Sequence, residues 1–334
     1  MMEHFPGKIA VMGGGSWATS LAKILMYSQP AINWYMRRPD RIEDFKSKKR
    51  NPAYMSSITF DTSRITFYSD INQAIEESDT LLFVTPSPYL KDHLKKVTVP
   101  LRDKYIISAI KGLVPDENML VNEYFSKFYD VNPNHIIVIA GACHAEEIAM
   151  EHLSYLTLVC RDIRKVKLLS DTVFKTPYLK SACSRDMVGL EYASTLKNIY
   201  AIVAGICNGL KYGSNFLAVY IPNAFDEMIR FLNVVQPMKR NIISAAYFSD
   251  LLVTAYSTFS RNRMFGKMIG EGNSVQVAKV ELGMVAEGYY ATKCIHEINA
   301  IYQVDMPILD ALYAILYERK SPLEQIRKIT EIFK

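Results

Sequence analysis

Residues 8 to 21 read Lys-Ile-Ala-Val-Met-Gly-Gly-Gly-Ser-Trp-Ala-Thr-Ser-Leu. The apolar run Ile9, Ala10, Val11, Met12 stops at Gly13, Gly14 and Gly15, then resumes with helical spacing at Ala18, Leu21, Ala22 and Leu25. This predicts a buried strand, a tight turn and the start of a helix. The spacing Gly13, Gly15, Ala18 is G-x-G-x-x-A. Gly13 permits the sharp turn, Gly15 leaves no Cβ between the helix N-terminus and a pyrophosphate, and Ala18 permits close helix–strand packing. A dinucleotide is the ligand such a turn serves. The alternative is a glycine-rich βα turn that binds nothing.

Outward from this unit, strand-like runs recur at Ala31 to Met36, Ile65 to Tyr68, Leu81 to Val84, Tyr105 to Ile110 and His135 to Ala140. Helical patterns lie between them, as at Ile71 to Ser78 and Asn118 to Tyr129. Alternating βα units imply an α/β, Rossmann-type domain with a parallel, doubly wound sheet. Tyr155 to Cys160 and Tyr178 to Ala182 flank a helix at Val166 to Phe174 and extend that sheet. Beyond Met187 strand signals cease. Helical stretches follow at Gly189 to Gly209, Asn215 to Asn233, Ile242 to Tyr256, Val275 to Glu281, Glu287 to Tyr302 and Pro307 to Tyr317. The division expected is therefore a dinucleotide-binding domain over 1–187 and an all-α domain over 188–334, with the active site in the cleft between them.

Composition narrows the function class. The chain has 334 residues, 49% hydrophobic and 22% charged, which suits two folded domains and excludes disorder. A net charge of +5 without a long basic block argues against nucleic acid and suits a small anionic substrate, or plain solubility. Five scattered cysteines (143, 160, 183, 207, 294) without C-x-x-C spacing argue against disulfides and structural zinc, and no metal site is expected. The opening residues Glu3, His4 and Pro6 are not those of a signal peptide, and no apolar run reaches membrane-spanning length. A cytoplasmic protein without membrane insertion is expected.

Several polar residues stand where chemistry happens. Arg37 and Arg38 follow the second strand, where an acidic residue would select NAD through the ribose 2′-hydroxyl and an arginine accommodates a 2′-phosphate. They favour NADP(H) without excluding NAD(H); the alternative is a solvated basic loop. Lys111, at a strand tip in Ser-Ala-Ile-Lys-Gly-Leu, either meets an anion or carbonyl oxygen or is a surface lysine. Lys197 and Asn198 interrupt a helix that is apolar almost all round, so the lysine either snorkels to solvent or keeps its amine in a cleft, desolvated for proton transfer. Asp250 and Thr254, spaced i, i+4, share a helical face; an aspartate near a helix start is otherwise a cap. Ser260-Arg261-Asn262-Arg263-Met264-Phe265-Gly266 reads as a loop whose guanidinium groups suit a phosphate, or as an exposed basic turn.

Taken in order, these pieces resemble the NAD(P)-dependent glycerol-3-phosphate dehydrogenase family in its bacterial form. The resemblance runs nearly the whole length. It includes Gly-Gly-Gly-Ser-Trp-Ala-Thr-Ser-Leu-Ala, Val-Thr-Pro-Ser at 84–87, Ile-Lys-Gly-Leu at 110–113 and Gly-Ala-Cys-His-Ala-Glu-Glu at 141–147. In the helical half it adds Leu-Lys-Asn at 196–198, Asp-Leu-Leu-Val-Thr at 250–254, Ser-Arg-Asn-Arg-Met-Phe-Gly at 260–266 and Val-Ala-Glu-Gly at 285–288. It implies Lys197 as proton donor and acceptor, with Lys111 and Asp250 near the reacting oxygen. Thr254, Ser260, Arg261 and Asn262 would hold the substrate, and Gly141 and Cys143 would line its site. Gly13, Gly15, Ser16, Trp17, Arg37, Arg38, Ala145, Val285 and Glu287 would face the dinucleotide, NADP or NAD, with Lys111 and Arg261 also near it. A homodimer through the helical half is implied in the same way.

Departures from the family pattern are few. Ala18 stands for the usual third glycine, Ala142 for a common proline, and Cys143 for a common serine or threonine. Ala246 to Ser249 replace a common glycine-containing lead-in to Asp250. The expected reaction is reversible hydride transfer between glycerol 3-phosphate and dihydroxyacetone phosphate, feeding glycerophospholipid synthesis. The rivals are a related β-hydroxyacid dehydrogenase acting on a carboxylate and a non-catalytic dinucleotide-binding protein.

Overall fold

Strands buried on both faces read as unbroken apolar runs, and Ile9–Met12 (β1) buries all four of its side chains. The same holds for Ile32–Tyr35 (β2) and Thr80–Phe83 (β4), with Ile65–Tyr68 (β3) half covered. Tyr105–Ser108 (β5), Ile136–Ala140 (β6), Ser154–Val159 (β7) and Leu179–Ser184 (β8) complete one eight-stranded sheet, ordered β3-β2-β1-β4-β5-β6-β7-β8. This computed structural model describes residues 5–333; Glu3 and His4, used in reading the N-terminus, lie outside the described residues, as does Lys334. Helices Ser16–Ser28 (α1), Pro39–Lys48 (α2), Ile71–Glu76 (α3), Leu90–Leu94 (α4), Val121–Tyr129 (α5), Ala145–Ala149 (α6) and Ile163–Thr172 (α7) connect the strands. The register is parallel throughout except between β6 and β7, where Val138 pairs with Val159 and Ala140 with Thr157 in antiparallel sense. The short α6 turns the chain back beside β6, so the extension expected as part of a parallel sheet starts with a reversal.

The chain divides into two units, Met1–Ile110 with Val121–Met187, and Lys111–Leu120 with Val188–Lys334. The segment Lys111–Leu120 thus groups with the helices. That segment is held by Asn198, which donates to the Lys111 carbonyl at 2.9 Å, and by Asn118, which donates to Glu297 at 2.7 Å.

The second unit is built around Met187–Gly209 (α8), whose residues from Leu190 to Cys207 are buried, Lys197 included. Around it run Ser214–Val235 (α9), Asp250–Tyr256 (α10), Arg261–Gly270 (α11), Val275–Leu282 (α12), Glu287–Tyr302 (α13), Pro307–Tyr317 (α14) and Pro322–Thr330 (α15). Two glycine pairs set its closest helix contact. Gly205 and Gly209 of α8 face Gly266 and Gly270 of α11. A Cβ at Gly266 would fall 1.9 Å from the Ile202 carbonyl oxygen, and one at Gly205 would fall 2.1 Å from that of Arg263. Backbones meeting this closely admit no side chain between them, so the glycines fix the position of the first turn of α11 against α8. Gly288 likewise brings the start of α13 close to α8, since its Cβ would sit 2.5 Å from the Asn198 carbonyl oxygen.

Candidate active site

In the first unit the glycine turn has the form its sequence predicts. Gly13 has φ +144°, and a Cβ there would meet the Val84 carbonyl oxygen at 2.5 Å. Gly15 is the N-cap of α1, has open space where a Cβ would stand, and makes no side-chain cap. The first turn of α1 carries no acidic residue, so the amino end of a 13-residue helix points its partial positive charge at open space. A pyrophosphate fits there without steric or electrostatic opposition. Ser16 and Ala18 are buried in that first turn and Trp17 is half-buried.

Two residues that pattern-reading missed hold the turn. Trp34 of β2 donates its indole N–H to the Gly13 carbonyl at 2.6 Å. Asn51, 1% exposed, donates to the Gly14 carbonyl at 3.0 Å and to Thr19 at 2.8 Å, while its own oxygen accepts from Ala53 and Tyr54. Neither has a local signal for this role, because their partners in the turn and α1 lie 21 to 37 residues away.

Arg37 and Arg38 lie just past β2 and are exposed. They are not in a loop alone, because Arg38 is the N-cap residue of α2 and Asp40 sits in its first turn. Arg38 forks onto Asp40, and this pairing holds the Asp40 carboxyl below its usual range. Arg37 lies near His93, whose imidazole is held neutral chiefly by burial and secondarily by that charge. Gly141, at φ +112°, and Cys143 follow β6; the Cys143 thiol donates to the Gly141 carbonyl at 3.4 Å. Ala145 opens α6, buried, and its carbonyl accepts from Ser20 of α1 at 2.7 Å.

In the second unit the structure brings Lys197, Asp250, Asn198, Asn262 and the Lys111 backbone together. Lys197 does not snorkel: it is 5% exposed and its Nζ donates to Oδ1 of Asp250, which is 1% exposed. Asp250 is therefore not a side-chain cap. Ser249 occupies the N-cap position, preceded by a π-helical stretch over Ala245–Ser249, the segment that departs from the family pattern. Such wide turns concentrate at functional sites. The Oδ2 of Asp250 is buried with no hydrogen-bond partner among the described residues. An unsatisfied buried carboxylate oxygen costs about 1–3 kcal/mol or more, a cost that a hydrogen-bond donor placed there would remove. Thr254 uses its hydroxyl on the Asp250 carbonyl at 2.6 Å.

The Ser-Arg-Asn-Arg stretch, expected as a loop, starts α11. Ser260 is its N-cap and accepts from the Arg263 N–H at 3.3 Å. Asn262 spends both ends of its carboxamide: it donates to Asn198 at 3.0 Å and accepts from the Gly288 N–H at 2.9 Å. A continuous relay thus runs from the Lys111 carbonyl through Asn198 and Asn262 to the residue after Glu287, which opens α13. Val285 and Glu287 are half-buried, as is Arg261. Arg263 has its Nε buried without a hydrogen-bond partner among the described residues. No group of three or more potential metal ligands occurs among the described residues.

Comparison with known proteins matches both units. Residues 8–166 fit the family model for the N-terminus of NAD-dependent glycerol-3-phosphate dehydrogenase, and 186–327 fit that for its C-terminus. The glycerol-3-phosphate dehydrogenase [NAD(P)+] of Limosilactobacillus reuteri (strain DSM 20016) is 32% identical, covering 93% of both chains. That of Streptococcus agalactiae (strain NEM316) is 34% identical over 93% of this chain and 92% of its own. The crystal structure of the Coxiella burnetii glycerol-3-phosphate dehydrogenase superposes with a TM-score of 0.89 at 26% identity, covering 97% of this chain and 98% of that one. With both halves matched in order, the chain belongs to the NAD-dependent glycerol-3-phosphate dehydrogenase family.

Proposed function

We propose that the protein interconverts sn-glycerol 3-phosphate and dihydroxyacetone phosphate with NAD(P)(H). The observation that carries this reading is the Lys197–Asp250 pair, buried yet leaving one carboxylate oxygen without a hydrogen-bond partner. The bound nicotinamide supplies or accepts the hydride. In the reductive direction the ketone oxygen gains negative charge, and Lys197 delivers the proton from Nζ while Asp250 orients its ammonium. Lys111 stabilises that charge electrostatically, its backbone held by Asn198. Arg261 grips the phosphate through a planar fork. Asn262, whose side chain is committed to Asn198 and Gly288, contributes its backbone N–H from the first turn of α11. Gly13, Gly15, Ser16, Trp17, Ala145, Val285 and Glu287 serve the dinucleotide, and Gly141 and Cys143 the substrate.

The wider reading follows from the same chemistry. No helix among the described residues is long and apolar enough to cross a membrane, and we place the protein in the cytoplasm, where its product supplies the glycerol phosphate unit of glycerophospholipids. We propose a homodimer joined through the helical unit. The deciding assay follows NADPH and NADH oxidation with dihydroxyacetone phosphate against 2-oxo and 3-oxo carboxylates. Turnover confined to the phosphorylated ketone is expected. Faster turnover of a carboxylate would transfer the protein to the hydroxyacid dehydrogenases.

A further inference from the structure

A second charged site lies in the first unit, at the end of the sheet where β6 begins and β7 ends. There a cleft of about 630 Å³ is lined by Asn134, His135, Arg161, Asp162, Arg164 and Lys165. Its unusual member is Lys165, which is 5% exposed. The Lys165 ammonium donates to the Asn134 carbonyl at 2.7 Å and lies 5.2 Å from the centroid of the Tyr105 ring. Among the described residues no carboxylate pairs with it within ion-pair distance. A buried ammonium without a counter-ion is costly, and a backbone carbonyl and a ring face offset that cost only in part.

The surrounding charges supply the missing anion only in part, through the Asp162 carboxylate acting on Lys165 from beyond ion-pair distance. Asp162 is the one acid lining the cleft, and both of its oxygens are taken by Arg164, at 3.0 Å each. Arg161 is exposed beside them. The Nδ1 of His135, also in the wall, is buried without a hydrogen-bond partner among the described residues; its ring lies 4.4 Å from that of Tyr105. Asp103, which acts on His135, is itself paired with Arg102 at 3.6 Å; with Asp162 likewise paired to Arg164, Lys165 and Arg161 leave a surplus of two positive charges around the cleft. We infer that this cleft binds a small multivalent oxyanion, phosphoryl or carboxylate, held between Lys165 and Arg161. The site is separate from the residues assigned to the dinucleotide and the substrate.

Thermal unfolding tests it. The intact protein is melted in chloride, inorganic phosphate and citrate at matched ionic strength, beside Arg161→Ala and Lys165→Met. Arg161 is exposed, so its replacement leaves the fold intact even if loss of Lys165 does not. Any stabilisation from the substrate or dinucleotide sites is common to all three proteins, and the assay with dihydroxyacetone phosphate should give the same kcat/KM in Arg161→Ala as in the wild type. The wild type should gain melting temperature in at least one of the two anions, and both variants should lose half or more of that gain. A gain in phosphate alone identifies a phosphoryl site, and one in citrate alone a carboxylate site. Equal gains in Arg161→Ala and the wild type, or no gain in either anion, would overturn the proposal.

Discussion

Arg37 and Arg38 are one position apart in sequence but differ in what they are free to do. Arg38 is committed to Asp40, an exposed pair of the kind that contributes little to stability, so recruiting it to a 2′-phosphate means breaking that fork. Arg37, exposed beside it, carries no such pairing with an acid among the described residues. Arg37→Ala should therefore weaken NADPH binding by about 1.5–3 kcal/mol, the range of a charged hydrogen bond, and leave NADH binding unchanged. Arg38→Ala should do less. Fluorescence titration of both cofactors measures this; equal losses for NADPH and NADH in Arg37→Ala would return the residue to a solvated surface role. The positions of these arginines were legible because strand ends are legible. Their inequality was not, because the start of α2 at Pro39 was hidden by a helix whose only buried side chains are Ile42 and Phe45. Asn51 was invisible for a different reason: nothing near it in sequence hints that its amide closes the glycine turn.

At the scale of elements, the strands and the long helices followed from periodicity, and β1 with α1 followed from the glycines. Strand direction did not, since a short apolar run such as β7 looks the same either way along the chain. The start of α11 was misread because Ser260-Arg261-Asn262-Arg263 has no apolar stripe, and Gly266 and Gly270 resemble breakers. In the fold those glycines are contact surface. Gly266→Ala should gain about 1 kcal/mol of intrinsic helix propensity. It also drives a methyl group into the Ile202 carbonyl, and overpacking against backbone costs about 1–3 kcal/mol or more. The prediction is a lower melting temperature with an even larger loss of kcat, because α11 carries Arg261 and Asn262. Gly213→Ala, where the space is open, is the control. A Gly266→Ala protein as stable as the control would mean that α8 and α11 are not held at backbone contact.

At the scale of the whole molecule, Glu227 gives the stability a pH dependence. It is fully buried on α9 and accepts the N–H groups of Ile308 and Leu309 at 2.7 and 3.1 Å, capping α14. Burial pushes its carboxyl from 4.5 up to about 8, against the pull of those N–H groups. The folded state thus keeps a proton that the unfolded chain has released, so stability is greatest below the unfolded value and falls between about 4.5 and about 8, by up to about 1.4 kcal/mol per pH unit. His93 and His135, held neutral by burial, contribute the opposite slope below 6.5. The quantity to measure is therefore the difference between wild type and Glu227→Gln in urea unfolding across this range. The variant should lose about 1–3 kcal/mol by setting an amide N–H against a backbone N–H, and should lack the falling component; an unchanged slope would remove Glu227 as its source. The pair on which catalysis depends, Lys197 with Asp250, is tested most directly by Lys197→Met, which keeps the buried stem and removes the proton. In steady-state reduction of dihydroxyacetone phosphate, kcat should fall on the order of 10²- to 10⁴-fold while NADPH binding and the melting temperature stay near wild type. A loss of less than about tenfold, too small for a general acid, in a folded protein that still binds NADPH would contradict Lys197 as the proton donor.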